Sequence, residues 1–269
     1  MIIRHGAEEL YGQSVQNTFV AYDDLEEELG QAVVIESHLA VLCAGRPHHL
    51  MIRTQCESEA RDALIGAATA RALQLARMEP GLAARVYTEC EPDDENRMRA
   101  LEALGYRDDD GLVRMRKHLS RGPIVKPLPA GCTIVRDYLI DEDESRFFIE
   151  RYNLTFARTR DLNWLKSLKA LPNFARLLVV ANTGLAGELL TWSDGDAGVV
   201  GIICVAPAWQ RKGAASYLLE LSRLYWLDKG LREAYFDVWT RLTGAVRLAA
   251  TSGFRPEKML MRYPGIDVY

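Results

Sequence analysis

One segment of the chain has the residue types and spacing of an anion cradle: Val205-Ala206-Pro207-Ala208-Trp209-Gln210-Arg211-Lys212-Gly213-Ala214-Ala215. The apolar run Gly198 to Val205 reads as a strand leading into it. From Gly213 a helix is predicted to about Lys229, with Tyr217, Leu218, Leu221, Leu224 and Tyr225 on one side and Gly230 as its stop. The first N–H groups of a helix have no intrahelical acceptor and sit at the positive end of its dipole. They therefore donate to phosphate oxygens wherever side chains leave room. Gly213, Ala214 and Ala215 leave that room, Arg211 and Lys212 add positive charge, and Pro207 ends the strand.

Other chemistry-bearing residues carry less. Cys204 abuts the segment, but no histidine follows His118 to activate it, so it reads as strand filler rather than a nucleophile. His48-His49 precedes a strand-like run with no carboxylate or thiol at ligand spacing, and no metal is expected there. No Walker A or GxGxxG loop is present.

The elements that must position the cradle follow from the pattern around it. Thr133 to Asp137 reads as a strand. Asp141 to Tyr152 reads as a helix with Phe147, Phe148 and Tyr152 on its apolar side, and Leu162 to Leu168 as a second helix. Three strand-like runs follow, Arg176 to Ala181, Leu185 to Trp192 and Gly198 to Val205, joined by the turn sequences Asn182-Thr183-Gly184 and Ser193-Asp194-Gly195. The strand Glu233 to Trp239 then has to lie beside the one before the long helix. Upstream, SRGPIVKPLPAG over 120–131 is linker chemistry, with Pro123, Pro127, Pro129, Gly122 and Gly131.

The two sides of that linker are weakly self-similar at a separation of 148 residues. Tyr87-Thr88-Glu89 falls on Tyr235-Phe236-Asp237, Gly105-Tyr106 on Gly253-Phe254, and the strand around Arg114 on that around Arg262. The expected organisation is a first domain over 1–120, a linker over 121–131 and a second domain over 132–269. At the cradle the repeat sets Asp62, Ala63 and Ile65 against Gln210, Arg211 and Gly213, so the first domain is expected to hold no cradle.

The segment resembles motif A of the GCN5-related N-acetyltransferases, V-x-P-x-x-[QR]-x-x-G-x-[GA], at Val205, Pro207, Gln210, Gly213 and Ala215. The resemblance runs over about Cys132 to Tyr263. It implies two tandem acyl-CoA N-acyltransferase folds, each an α/β unit with a mixed, mostly antiparallel sheet flanked by helices, the first degenerate. It implies acetyl-CoA as co-substrate, held by Cys204, Val205, Gln210, Arg211, Lys212, Gly213, Ala214 and Ala215, and no metal. The acetyl group would pass by direct attack to a primary amine of a small molecule or peptide. A carboxylate serves as the usual base in such enzymes. Asp237 stands where some members carry it, and Glu188 is a second candidate; Glu89, the first-half counterpart of Asp237, reads as structural. Twelve residues after Asp237, where those members have a tyrosine acid, this chain has Ala249, leaving Tyr217, Tyr225, Tyr263 or solvent. That departure supports the alternative of a non-catalytic acyl-CoA-binding sensor or regulatory module.

The bulk composition agrees with a globular protein. The 269 residues suit two domains, and 48% apolar with 26% charged residues suffice for two cores. A net charge of -4 without charge blocks argues against a nucleic-acid partner. Five scattered cysteines without CxxC spacing read as reduced thiols. The N-terminus has no apolar h-region and no run approaches a membrane span, so a cytoplasmic protein is expected.

Overall fold

On both sides of the proline-rich segment the apolar runs fold as strands and the alanine- and leucine-rich runs as helices. The computed structural model describes every residue except Val125 and Ile140. It divides into two units, one of 1–112, 155–157 and 259–269, the other of 113–154 and 158–258.

The first unit opens with β1 (Ile2–His5), β2 (Thr18–Tyr22), β3 (Glu28–His38) and β4 (His48–Cys56), paired antiparallel in sequence order. α1 (Ser58–Met78) crosses over to β5 (Ala84–Thr88), which runs parallel to β4, and α2 (Glu95–Ala103) follows. α1 is rich in alanine, the best helix former, and its small side chains let it pack closely on the sheet. Its Leu64, Ile65, Ala68 and Ala72 bury against Val34, Leu50, Ile52 and Val86.

In the second unit β6 (Gly111–His118) comes first, and no helix or strand lies between it and β7 (Cys132–Asp137) among the described residues. Val125, within the expected linker, lies outside the described residues. Arg223 pins the linker's entrance, donating to the carbonyls of Ser120 (2.8 Å), Gly122 (3.1 Å) and Pro123 (3.2 Å). Then come α3 (Glu142–Phe156), α4 (Leu162–Lys169) and the meander β8 (Ala175–Ala181), β9 (Gly184–Asp194) and β10 (Ala197–Val205). α5 (Ala214–Asp228) leads to β11 (Glu233–Trp239), parallel to β10 as the sequence requires, and α6 (Thr243–Thr251) to β12 (Arg255–Arg262) and β13 (Gly265–Val268). α5 packs Leu218, Tyr225 and Trp226 against Leu177, Leu189, Val200 and Phe236. Two expectations shift here. Phe147 is 61% exposed while Phe148 and Ile149 are buried, so α3 is rotated from its predicted apolar side, and Leu224 is likewise exposed.

The repeat is real in backbone geometry. α2 and α6 end in the same cap: Tyr106 N–H donates to Leu101 O (3.1 Å) and Phe254 N–H to Ala249 O (3.0 Å), across Gly105 and Gly253 at φ 88° and 89°. The expected domain boundaries are corrected at both ends. β6, from within 1–120, is built into the second sheet, of order β12-β6-β11-β10-β9-β8-β7. β13, from within 132–269, completes the first, of order β1-β2-β3-β4-β5-β13. Without these strands β5 and β11 would each be a bare parallel edge with unpaired backbone groups. β13 is held on β5 by backbone pairing and by the buried guanidinium of Arg85, 2.9 Å from buried Asp267.

Candidate active site

The connection from β10 to α5 is built as an open ring of donors. After a single 3₁₀ turn over Pro207–Trp209, Gln210 Nε2 donates to Val205 O (3.3 Å), and Arg211 and Gly213 both take left-handed backbone, at φ 62° and 93°. Among the described residues nothing accepts a hydrogen bond from the N–H groups of Arg211, Lys212, Gly213, Ala214, Ala215 or Ser216; the first N–H used is that of Tyr217, which donates to Gly213 O at 2.9 Å. Six successive unused donors at a helix start, on residues that are exposed or half-exposed apart from buried Ala214, form an oxyanion-binding concavity. A Cβ on Gly213 would meet nothing within 4 Å, so the glycine is required by its positive φ rather than by crowding. No carboxylate pairs with Arg211 or Lys212 among the described residues, and the Lys212 ammonium lies 5.1 Å from the Trp209 ring centre.

Ahead of the ring, β10 and β11 part. Their pairing runs from Ala197 and Glu233 to Val200 and Phe236 and stops, although β10 continues to Val205 and β11 to Trp239. The cause is a bulge in β10 between Val200 and Ile202, where a Cβ on Gly201 would lie 1.9 Å from the Trp192 ring. Ala206 N–H donates to Ala186 O on β9 (3.0 Å), so strand alternation turns the N–H groups of Val205 and Ile203 toward the side where β11 has left.

Both candidate carboxylates lie on the sheet face away from α5, and both are held by arginine. Asp237 receives Arg114 Nε and Nη2, each at 2.8 Å, and the same guanidinium stacks 3.8 Å from the Tyr235 ring centre. The Asp237 hydrogen bond raises the Arg114 pKa. Burial, with a hydrogen bond to Asp194, pushes the Tyr235 phenol up to about 12. Glu188 is 3% exposed and receives Arg151 (2.9 and 3.0 Å) and Arg176 (2.9 Å). Its cross-strand partner is Cys204, whose thiol is pushed up to about 12 by burial and then by the Glu188 charge; it is no nucleophile at neutral pH. Beside this pair an open cavity of about 600 Å³ is lined by Phe147, Arg151, Leu154, Arg176, Leu178 and Glu144.

The tyrosines offered as acids are placed differently. Tyr225 donates to Asn173 O three turns along α5, Tyr263 belongs to the first unit, and Tyr217 is buried on the first turn of α5. Ala249 is fully buried in the core against α6's neighbours, a packing position rather than a cleft position.

The arginines were missed in the sequence, although one left a signal. Arg176 stands in an otherwise apolar strand run, and a buried guanidinium demands acidic partners, here Glu188, Asp137 and Glu144. The expectation for His48 also needs correction. In the first unit it meets Glu36, His38 and Glu79, carboxylates and imidazole that sequence spacing had set apart. No disulfide joins the five cysteines. Among the described residues no helix is long and apolar enough to cross a membrane.

No family model matches the sequence, and no curated protein matches it significantly. Solved structures do match in fold. A GCN5-related N-acetyltransferase from Sphaerobacter thermophilus is 20% identical with a TM-score of 0.53, over 96% of this chain and 82% of that one. A conserved protein of unknown function from Enterococcus faecalis, described as a probable N-acyltransferase, is 15% identical with a TM-score of 0.57; the match covers 92% of this chain and 61% of that one. The fold is that of the GCN5-related N-acetyltransferases, present here twice in tandem.

Proposed function

We propose that the second unit is an N-acetyltransferase site that binds acetyl-CoA and acetylates a primary amine. The observation that carries this reading is the run of six unused N–H groups from Arg211 to Ser216 beside the gap between β10 and β11. The N–H ring with Arg211 and Lys212 holds the pyrophosphate, and the freed backbone of Ile203 to Val205 pairs with the pantetheine amides. Acetyl-CoA supplies the acyl thioester, whose C–S bond breaks as the amine nitrogen forms the new C–N bond.

Val205 N–H faces the gap and stabilises charge developing on the carbonyl oxygen. Asp237 is the carboxylate assigned to take the ammonium proton: its side chain is 30% exposed, whereas the Glu188 carboxylate is 3% exposed and committed to three arginine hydrogen bonds. Arg114 positions Asp237, and Glu188 keeps the Arg151–Arg176 wall of the cavity in place. With no tyrosine in α6, water protonates the departing thiolate.

Release of free thiol with a panel of primary amines tests the assignment. Asp237→Asn is expected to lower kcat by about 10²–10⁴-fold with little change in acetyl-CoA affinity; an unchanged rate and pH profile would place the base elsewhere. The two-pronged Arg114 grip on Asp237 favours a second reading, an acyl-CoA-binding regulatory module without turnover. Tight acetyl-CoA binding with no acceptor-dependent thiol release from any amine would establish it.

A further inference from the structure

We infer that the first unit carries a divalent metal site of imidazole and carboxylate ligands, built from His38, His48 and Glu79 and oriented by Glu36. The cluster lies on one face of the β3–β4 pair. Glu36 and His38 are two residues apart and so share a face of β3, and His48 stands directly across from His38 in the ladder. The two imidazole rings stack at 4.7 Å with a 6° interplanar angle. Glu79, the cap residue at the C-terminal end of α1, closes over the same face, its Oε2 lying 2.8 Å from His38 Nε2 and 3.8 Å from His48 Nδ1. Ligand atoms of Glu36, His38 and His48 lie within 4.8 Å of one another.

His48 decides what the cluster is for. Its side chain is fully buried, and Nε2 lies 2.7 Å from Glu36 Oε1. A carboxylate only accepts, so Nε2 carries the hydrogen and neutral Nδ1 presents a lone pair. That Nδ1 is buried and has no hydrogen-bond partner among the described residues, and what it faces is the Glu79 carboxylate. A buried lone pair without a partner and a partly exposed carboxylate 3.8 Å away are a pair of ligand donors that one cation can bridge. An imidazole whose far N–H is donated to a carboxylate, leaving the near nitrogen as donor to a metal, is the usual way a metal-bound histidine is oriented.

Charge narrows the cation. Two carboxylates beside two neutral imidazoles leave two negative charges, which one divalent ion neutralises. The C-terminal end of α1 adds the negative pole of its dipole. Imidazole with carboxylate is the donor set of zinc and neighbouring first-row ions. Glu36, His38 and Glu79 are each about a third to half exposed, so they can close by side-chain rotation onto bonds of about 2.0–2.2 Å.

Titration of chelator-stripped protein with Zn²⁺ by calorimetry, and with Co²⁺ by visible absorption, tests the site. One equivalent is expected to bind with a Kd of about 10 µM or tighter, to give a Co²⁺ d–d band of low-coordinate type, and to raise Tm by about 5 °C at a hundredfold excess over Kd. His38→Ala and Glu79→Gln alter exposed side chains and are expected to weaken binding at least tenfold while keeping the wild-type circular dichroism. His118→Ala, at an exposed histidine in the other unit, is expected to bind as wild type. Absence of saturable binding, or binding unchanged in His38→Ala and Glu79→Gln, would overturn the inference. His48→Gln is a second check: loss of binding in a folded variant supports the site, and retained binding removes His48 from it.

Discussion

The same position in the repeat is a donor ring in one unit and a plain helix in the other. In the second unit β10 ends at Val205 and α5 begins at Ala214, with the ring between them. In the first, β4 ends at Cys56 and α1 begins at Ser58. α1 has 21 residues against 15 in α5, and the residue 148 positions after Ser58 is Ala206. The stretch that forms the loop in the second unit has been wound into the first turns of a helix in the first. Asp62, Ala63 and Ile65 are therefore not poor substitutes within a cradle, as sequence alignment suggests. They are helix positions, with Ile65 in the core, and Glu57 and Glu59 bring negative charge to that helix start. Losing a ligand loop and lengthening a helix are here one event, trading open N–H groups for intrahelical bonds.

This contrast can be broken or sharpened by experiment. The largest effect is expected from Gly213→Glu, which combines a left-handed backbone, unfavourable for any side chain, with a charge at the phosphate position; acetyl-CoA affinity should fall by about 100-fold or more in calorimetry. Glu57→Gln, at the first unit's helix start, should leave that affinity unchanged. A loss of stability is expected from Asp267→Ala, which leaves the buried Arg85 guanidinium with only Asp109 and the Tyr263 carbonyl as partners: about 1.5–3 kcal/mol by urea unfolding. pH probes the same pair. Burial works to raise the Asp267 carboxyl, but hydrogen bonds from Arg46 and Arg85 outweigh it and hold the group below the usual range. Its folded value lies below its unfolded value, so its contribution is complete above the unfolded pKa of about 3.9. That contribution is lost as pH falls through the folded value. The urea midpoint should drop through that acid window in the wild type more than in Asp267→Ala. Smallest is Lys212→Ala, an exposed charge at the ring, expected to cost about two- to fivefold in acetyl-CoA affinity, with more effect at low salt.

The parts of this molecule that depend on near neighbours in sequence could be read from it. Strand, ring and helix around Gly213 are one continuous segment, and the caps at Gly105 and Gly253 depend on local backbone alone. What depends on register or on which sheet a strand joins could not. β6 and β13 carry the same alternation whichever sheet they complete, so the exchange left no trace in the pattern. The Arg114 grip on Asp237 needs β6 to lie beside β11, and the His48 cluster needs the pairing of β3 with β4 and the end of α1. The pairing of Ile65 with Gly213 keeps its register, but nothing in it reveals that the start of the connection winds into helix in one unit and opens into a loop in the other.

The exchanged strands also set the order in which the chain can fold. Asp267 meets Arg85 across 182 residues, so the first sheet closes only after almost the whole of the second half has been threaded between its β5 and its β13. Closing so large a loop carries an entropy cost that local pairing does not repay early, which makes it a late, slow step. Neither half of the sequence carries all the strands of its own sheet. Closing the first sheet with β13 is therefore expected to be the last step of folding.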